Sequence, residues 1–262
     1  MPEQILARRD SLVFEVTLNR PNERNAISDE MMNALADAFD RAEREFHDGA
    51  RVVLLRGAGR AFSSGIDLDQ FQTLEEDLRN NLFPYTARYQ AILNKIERCS
   101  LPVVCILQGY CLGLALEMAL ACDFRIAAER TKLGLPEARL GIIPDVGGAV
   151  RLIKLIGPSR AKDLILTGRT IDLSQALDWG LVNAVLPKAE LEQGVSEFVE
   201  ALAASAPLAV SYGKRVINDI IDNAAGLQLE AWAQAQLFRT NDFQNAIRAM
   251  MDKTYPIDWE GK

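Results

Sequence analysis

Gly113–Cys122 reads GLALEMALAC, one charged residue, Glu117, among nine that carry none. Leucine and alanine at this density favour a helix, and the stretch offers no polar face on which a carboxylate could reach water. Upstream, Pro102–Gly109 (PVVCILQG) is a proline-initiated apolar run, and downstream, Asp123–Glu129 (DFRIAAE) is a second strand candidate. A helix between two such strands is the pattern of α/β architecture with much parallel pairing.

Working outward, Leu12–Pro21 (LVFEVTLNRP) alternates Leu12, Phe14, Val16 and Leu18 with polar neighbours and ends at a proline, which predicts a half-buried strand. Ser28 is placed to cap a helix with Asp29 and Glu30 in its first turn and an apolar stripe of Met31, Leu35, Phe39, Ala42 and Phe46. Arg51–Gly57 (RVVLLRG) reads as a short buried strand, and Tyr85, Tyr89, Ile92 and Ile96 mark another helix. After Pro187 only helical patterns remain, as in Leu191, Val195, Phe198, Val199 and Leu202. The reading divides the chain into a core, residues 1–190, and a helical C-terminal region, residues 191–262.

The composition narrows the function. The chain has 262 residues, 49% of them hydrophobic, enough to bury one large core. Acids and arginines interrupt the N-terminal stretch where a signal peptide needs an apolar run, and no run is long enough to span a membrane, so the expected location is cytoplasmic. Cys99, Cys105, Cys111 and Cys122 match neither a metal motif nor a disulfide framework and read as reduced packing residues. The only histidine, His47, lies in the polar FHDGAR, which argues against triad catalysis and leaves a transition metal without ligands. A net charge of -7 argues against nucleic-acid binding.

A lone carboxylate in an apolar helix costs several kcal/mol unless it is paired, hydrogen-bonded or protonated. Gly113, Leu114, Leu120 and Ala121, one turn away from Glu117, supply no cation. It is either tied to a distant arginine or backbone amides, or it is a working acid or base. Three other segments bear on the choice. Gly59–Leu68 (GRAFSSGIDL) is a glycine-bearing turn after a strand, where backbone N–H groups can approach a ligand as an oxyanion hole requires. Gly109 and Gly113 flank a turn into a helix whose first amides, Leu114 among them, favour an anion. Leu135–Gly148 (LPEARLGIIPDVGG) adds Glu137 and Asp145 in a glycine-rich segment. Together these supply two backbone donors and up to three carboxylates, the equipment for proton transfer beside a stabilised enolate.

These segments resemble the enoyl-CoA hydratase/isomerase (crotonase) superfamily along essentially the whole chain. AFSSGIDL is similar to the family's first oxyanion segment, with Ile66 as the N–H donor. GYCLGLALEMALACDFRIA resembles the second, with Leu114 as donor and Glu117 as catalytic glutamate. LPEARLGIIP matches the segment of the second catalytic glutamate, Glu137, 20 residues after Glu117. LTGRTIDLSQALDWGLVNAVLP resembles the lead into the C-terminal helices.

The resemblance implies a spiral of ββα units, C-terminal helices that assemble a homotrimer or hexamer, and an acyl-CoA thioester substrate with no further cofactor. It places Glu117 against the acyl chain and the thioester oxygen between the N–H groups of Ile66 and Leu114. In hydratases the two glutamates hold a water, the first aiding attack on C3 and the second protonating C2. Asp145 departs from the glycine common in hydratases and resembles the dienoyl-CoA isomerases, as do SGIDL and NKIERCSLPV, although that branch usually has aspartate in place of Glu117. A carnitinyl-CoA dehydratase pattern is a third reading, and a non-catalytic acyl-CoA binding protein is the alternative of another class. Leu114 and Leu116 replace smaller residues and should reshape the acyl pocket. The resemblance further assigns CoA contacts to Arg24, Ala26, Ser64, Asp67 and Leu68, and to Lys253 in MMDK. Assembly is expected through C-terminal stripes such as Leu227, Ala231, Ala235 and Phe238.

Overall fold

Phe14, Val16 and Leu18 are fully buried while the residues between them are half-buried, so the alternation in this strand turns one face into the core. The strand pairs antiparallel with Ile5–Asp10, register Ile5 to Leu18 and Asp10 to Val13. Leu12, expected inside, lies instead in the turn of that hairpin and is exposed. The computed structural model describes residues 3–70, 75–220 and 224–254, the side chains of 75–81, 224–226 and 229 excepted.

The strands are β1 (Ile5–Asp10), β2 (Val13–Leu18), β3 (Val52–Gly57), β4 (Val103–Leu107), β5 (Tyr110–Leu112), β6 (Phe124–Ala128), β7 (Lys132–Gly134), β8 (Thr170–Ile171) and β9 (Ala184–Leu186). The main sheet runs β1-β2-β3-β4-β6-β9, parallel from β2 onward, and β5-β7-β8 form a second sheet. The α-helices are α1 (Asp29–His47), α2 (Glu75–Arg98), α3 (Leu114–Leu120), α4 (Gly148–Ile156), α5 (Pro158–Thr167), α6 (Leu173–Asp178), α7 (Leu191–Ala203), α8 (Pro207–Ile220), α9 (Ala224–Leu237) and α10 (Asn241–Asp252). The chain shuttles between the sheets. After β3, Ser63 bridges Cys111 before the chain enters α2; β4 leads to β5 and α3; β6 leads to β7 and then α4. This is the wound ββα repeat that the family resemblance implies.

Both faces of the main sheet are covered, which explains its apolar strands. Val53, Leu55, Val103, Cys105 and Leu107 join the core beneath α1 and α2, and Val52, Leu54, Val104 and Ile106 pack on Leu191, Val195 and Val199 of α7. Ser28 caps α1, its hydroxyl accepting from Met31 N at 3.0 Å. All four cysteines are free and buried.

The assembly stripe expected on α9 is not a free surface. Leu227, Ala231 and Phe238 are buried within the chain, and Ala235 packs on the cluster containing Phe238. Apolar residues stand out on α8 instead, where Leu208, Tyr212, Val216, Ile217 and Ile220 are between 57% and 79% exposed. The stripe has the same helical spacing on both helices, but α9 lies against α2, whereas α8 turns polar side chains inward. Lys214 pairs with Asp123 at 2.6 Å, and Asn218 donates to Glu97 O at 2.8 Å.

Candidate active site

The loop around Ile66 is built on Asn25, which is fully buried in a left-handed conformation (φ 53°). Its amide donates to the carbonyls of Ala58, Ala61 and Phe62, and its carbonyl oxygen accepts from Arg20 N. Ser63 Oγ donates to Asn25 O and accepts from Gly65 N. Ile27 N donates to Gly65 O and Asp67 N to Ile27 O, so the Ile66 N–H between them is turned away. Among the described residues neither it nor the Leu114 N–H, in the first turn of α3, meets a protein acceptor.

Gly65 (φ 98°) is where the two segments meet, since a Cβ there would lie 2.6 Å from Leu112 O. Gly113 (φ 56°) starts α3, and a Cβ there would lie 2.9 Å from Glu137 Oε1. Both positions need glycine twice over, for the left-handed backbone and for the close approach.

Glu117 is 2% exposed, and its Oε2 accepts from Val146 N and Gly148 N, each at 2.8 Å. These donors sit at the N-terminus of α4, where unpaired amides and the helix dipole support negative charge. The carboxyl is therefore held by backbone amides. Even so, burial and the neighbouring carboxyls of Glu137, Asp145 and Glu230 push it well above the usual range, and the Val146 amide opposes them. Glu137 follows Pro136 in a 3-10 turn, Pro136–Leu140, closed by left-handed Gly141. Burial pushes it to about 8, and its Oε2 is buried with no hydrogen-bond partner among the described residues. Asp145, pushed by burial to about 7, accepts from Thr86 Oγ1 at 2.7 Å, while its backbone carbonyl accepts from Gln90 Nε2 at 2.6 Å.

The fourth carboxyl, Glu230 of α9, is absent from the sequence reading. Its Oε2 accepts from Gly147 N at 2.6 Å and its Oε1 from Val150 N at 2.7 Å, and burial pushes it to about 7. Gln234 adds a bond to Ile143 N. The signal available was a glutamate and a glutamine, Glu230 and Gln234, at i and i+4 among alanines, which is easily read as a solvated face. Asn25 and Thr86 carried no separate signal.

Five of the expected CoA contacts, Arg24, Ala26, Ser64, Asp67 and Leu68, lie along one rim. Ser64 N donates to Arg24 O, Arg20 donates to Ala26 O and pairs with Asp67 at 2.6 Å, and Leu68 packs on the cluster of Leu82, Ile142, Phe238 and Phe243. The Arg24 guanidinium lies 5.8 Å from the Tyr110 ring centre, and Lys132 Nζ lies 5.9 Å from the same ring. Lys253 ends α10, exposed, and shares no hydrogen bond with this rim among the described residues.

The enoyl-CoA hydratase/isomerase family model matches residues 8–262. A probable mitochondrial enoyl-CoA hydratase 2 of Arabidopsis thaliana is 36% identical, aligned over 96% of this chain and 83% of its own. A mitochondrial Δ(3,5)-Δ(2,4)-dienoyl-CoA isomerase of Dictyostelium discoideum is 31% identical over 96% and 89%. The crystal structure of an enoyl-CoA hydratase from Mycobacterium avium subsp. paratuberculosis K-10 superposes with a TM-score of 0.86 at 28% identity, covering 98% of this chain and 99% of that one. Sequence motifs, winding and site geometry thus agree, and the chain belongs to the enoyl-CoA hydratase/isomerase family of enzymes.

Proposed function

We propose that the protein hydrates a 2-trans-enoyl-CoA. The observation that carries this reading is the asymmetry of two buried carboxyls beside two free N–H groups. Glu117 has two amides supporting negative charge on one oxygen, whereas Glu137 has an unpartnered buried oxygen. The thioester carbonyl takes the Ile66 and Leu114 N–H bonds, which stabilise the enolate as charge develops. Water held between the carboxyls adds to C3 and gives a proton to Glu117, while protonated Glu137 delivers one to C2. Burial raises the proton affinity of both carboxyls, so the pair holds a proton at neutral pH; the Val146 and Gly148 amides favour the ionised form at Glu117 and leave that proton on Glu137. The two carboxyls then exchange a proton to return to the starting state, and no cofactor beyond the CoA of the substrate takes part.

The runner-up is a dienoyl-CoA isomerase in which Glu137 and Asp145 move the proton. Asp145, half-buried beside the same cluster and held by Thr86, supports that reading. The rim of Arg24, Ala26, Ser64, Asp67 and Leu68 accommodates CoA, and Lys253 supplies a phosphate contact. The exposed face of α8 supports assembly into a trimer or hexamer of this chain. Incubation with a 2-enoyl-CoA and, separately, a 3,5-dienoyl-CoA tests the chemistry through the ultraviolet absorbance of conjugation. Loss with the first is expected. Gain with the second instead makes it an isomerase, and silence with both makes it a binding protein.

A further inference from the structure

Helix α4 has one N-terminus and two carboxylates on it. Glu117, from α3, takes the amides of Val146 and Gly148, and Glu230, from α9, takes those of Gly147 and Val150. The four amides are used alternately along the chain, so the turn is gripped from two sides. We propose that Glu230 is a positioning residue for Glu117: it fixes the 145–150 turn that presents amides to Glu117, and its own charge takes up part of the helix-end potential on which Glu117 depends. The inference rests on the reading of Glu117 as a catalytic group.

Two further bonds tie the adjoining chain to α9 and α2, and a third joins those two helices. Gln234 accepts from Ile143 N, and Gln90 donates to Asp145 O and to Leu227 O. A C-terminal helix that served only to cover apolar surface would have no need of two buried polar side chains, Glu230 and Gln234, each bonded to main-chain amides of the segment 143–150. The charged groups facing Glu230 are Asp145 on the turn, Arg151 on α4, and Glu117 on α3. Arg151 is itself engaged by Glu97 of α2 at 2.9 Å. A negative charge at Glu230 raises the proton affinity of Glu117, as do Asp145 and Glu137.

The test is an infrared titration of the full-length protein, following the protonated-carboxyl band that disappears in Glu117→Gln. In Glu230→Gln, which keeps the shape and one acceptor oxygen but removes the charge, that band should titrate about one pH unit lower. Glu230→Asp, which keeps the charge, should bring it back towards the wild-type position. In hydration assays Glu230→Gln should lower kcat by about 10-fold with KM changed less than about twofold, a loss confined to the transition state, and Glu230→Asp should recover part of it. A Glu117 band unmoved in Glu230→Gln overturns the inference. So does an equal shift in the Gln and Asp variants, which marks a purely steric role. Absence of hydration by the wild type overturns the proposed activity and leaves the infrared result to decide on Glu230.

Discussion

Two regions of this molecule invert the usual partition of residues, and they resolve it differently. Around α4, three carboxyls, Glu117, Glu137 and Glu230, are buried, and a fourth, Asp145, is half-buried beside them. On α8, five large apolar side chains are turned out to solvent, while Lys214 and Asn218 reach inward. Three of these carboxyls are compensated within one chain by five hydrogen bonds, from four main-chain amides and Thr86, and among the described residues Glu137 Oε2 is fully buried with no partner. Nothing within the described chain covers these side chains of α8, and an exposed apolar face is the kind of surface on which the proposed assembly would draw. On the proposed reading the first inversion serves the chemistry and the second serves assembly with another copy of the chain.

The comparison breaks most visibly at the glutamates. Glu117→Gln and Glu137→Gln should each lower kcat by about 10²-fold or more, the range for loss of a positioned acid or base, in steady-state hydration assays. Near wild-type turnover in both would make the cluster a structural feature and leave only α8 with a function.

For the apolar face, Val216→Asp combined with Ile220→Asp should convert the assembly to monomer in light scattering at micromolar concentration, with circular dichroism unchanged, because neither side chain is buried in the chain. Leu227→Asp, placed on the stripe that α9 buries, should instead unfold the protein or lower Tm sharply. A monomeric wild type removes the contrast between the two helices.

The pH dependence sharpens it on the side of the carboxyls. Glu137 has an ordinary value of 4.5 in the unfolded chain and about 8 in the folded one. Between those values the folded protein holds a proton that the unfolded chain has released, so stability is greatest at the acid end and falls as pH rises towards 8. Glu137→Gln removes this penalty. Its Tm should exceed that of wild type by several degrees at pH 8, for an effect of about 2 kcal/mol, and by less at pH 5. For the same reason hydration by the wild type should decline above about pH 8, as the proton on Glu137 is lost. A Tm difference independent of pH would place the charge of Glu137 in water.

Most of the frame was legible in the sequence, because the main-sheet strands are apolar on both faces and α1 carries its own cap. β1 was not, since ILARRD lacks alternation and depends on its partner β2. The short strands β5, β7 and β8 were hidden too, because two- or three-residue ladders leave no periodic signal. In the candidate site, Glu117 was conspicuous as a charge in an apolar helix, and the motifs around Ile66 and Glu137 marked two further segments that the fold brings near it. Glu230 escaped because helical periodicity shows that a face exists but not which way it points. The same ambiguity exchanged α8 for α9 as the exposed helix.

The smallest expected effect decides between the two chemistries. Asp145 lies in the cluster, but its carboxyl is bound by Thr86, and its backbone carbonyl is held by Gln90. Asparagine can keep the Thr86 bond through its own carbonyl oxygen, so Asp145→Asn tests charge and proton transfer with little disturbance of the turn. If hydration runs through Glu117 and Glu137, removing this negative charge should lower the proton affinity of Glu117 and reduce kcat by less than about 10-fold, well short of the glutamate variants. If the enzyme instead moves a proton along a conjugated dienoyl chain, Asp145 is itself one of the two proton-transferring groups. Its loss then reaches about 10²-fold or more, while Glu117→Gln has the lesser effect. Measured on whichever substrate the wild type turns over faster, an Asp145→Asn loss larger than the Glu117→Gln loss assigns the catalytic pair to Glu137 and Asp145. The amides of α4 would then serve to hold a charge beside the substrate rather than to support a base.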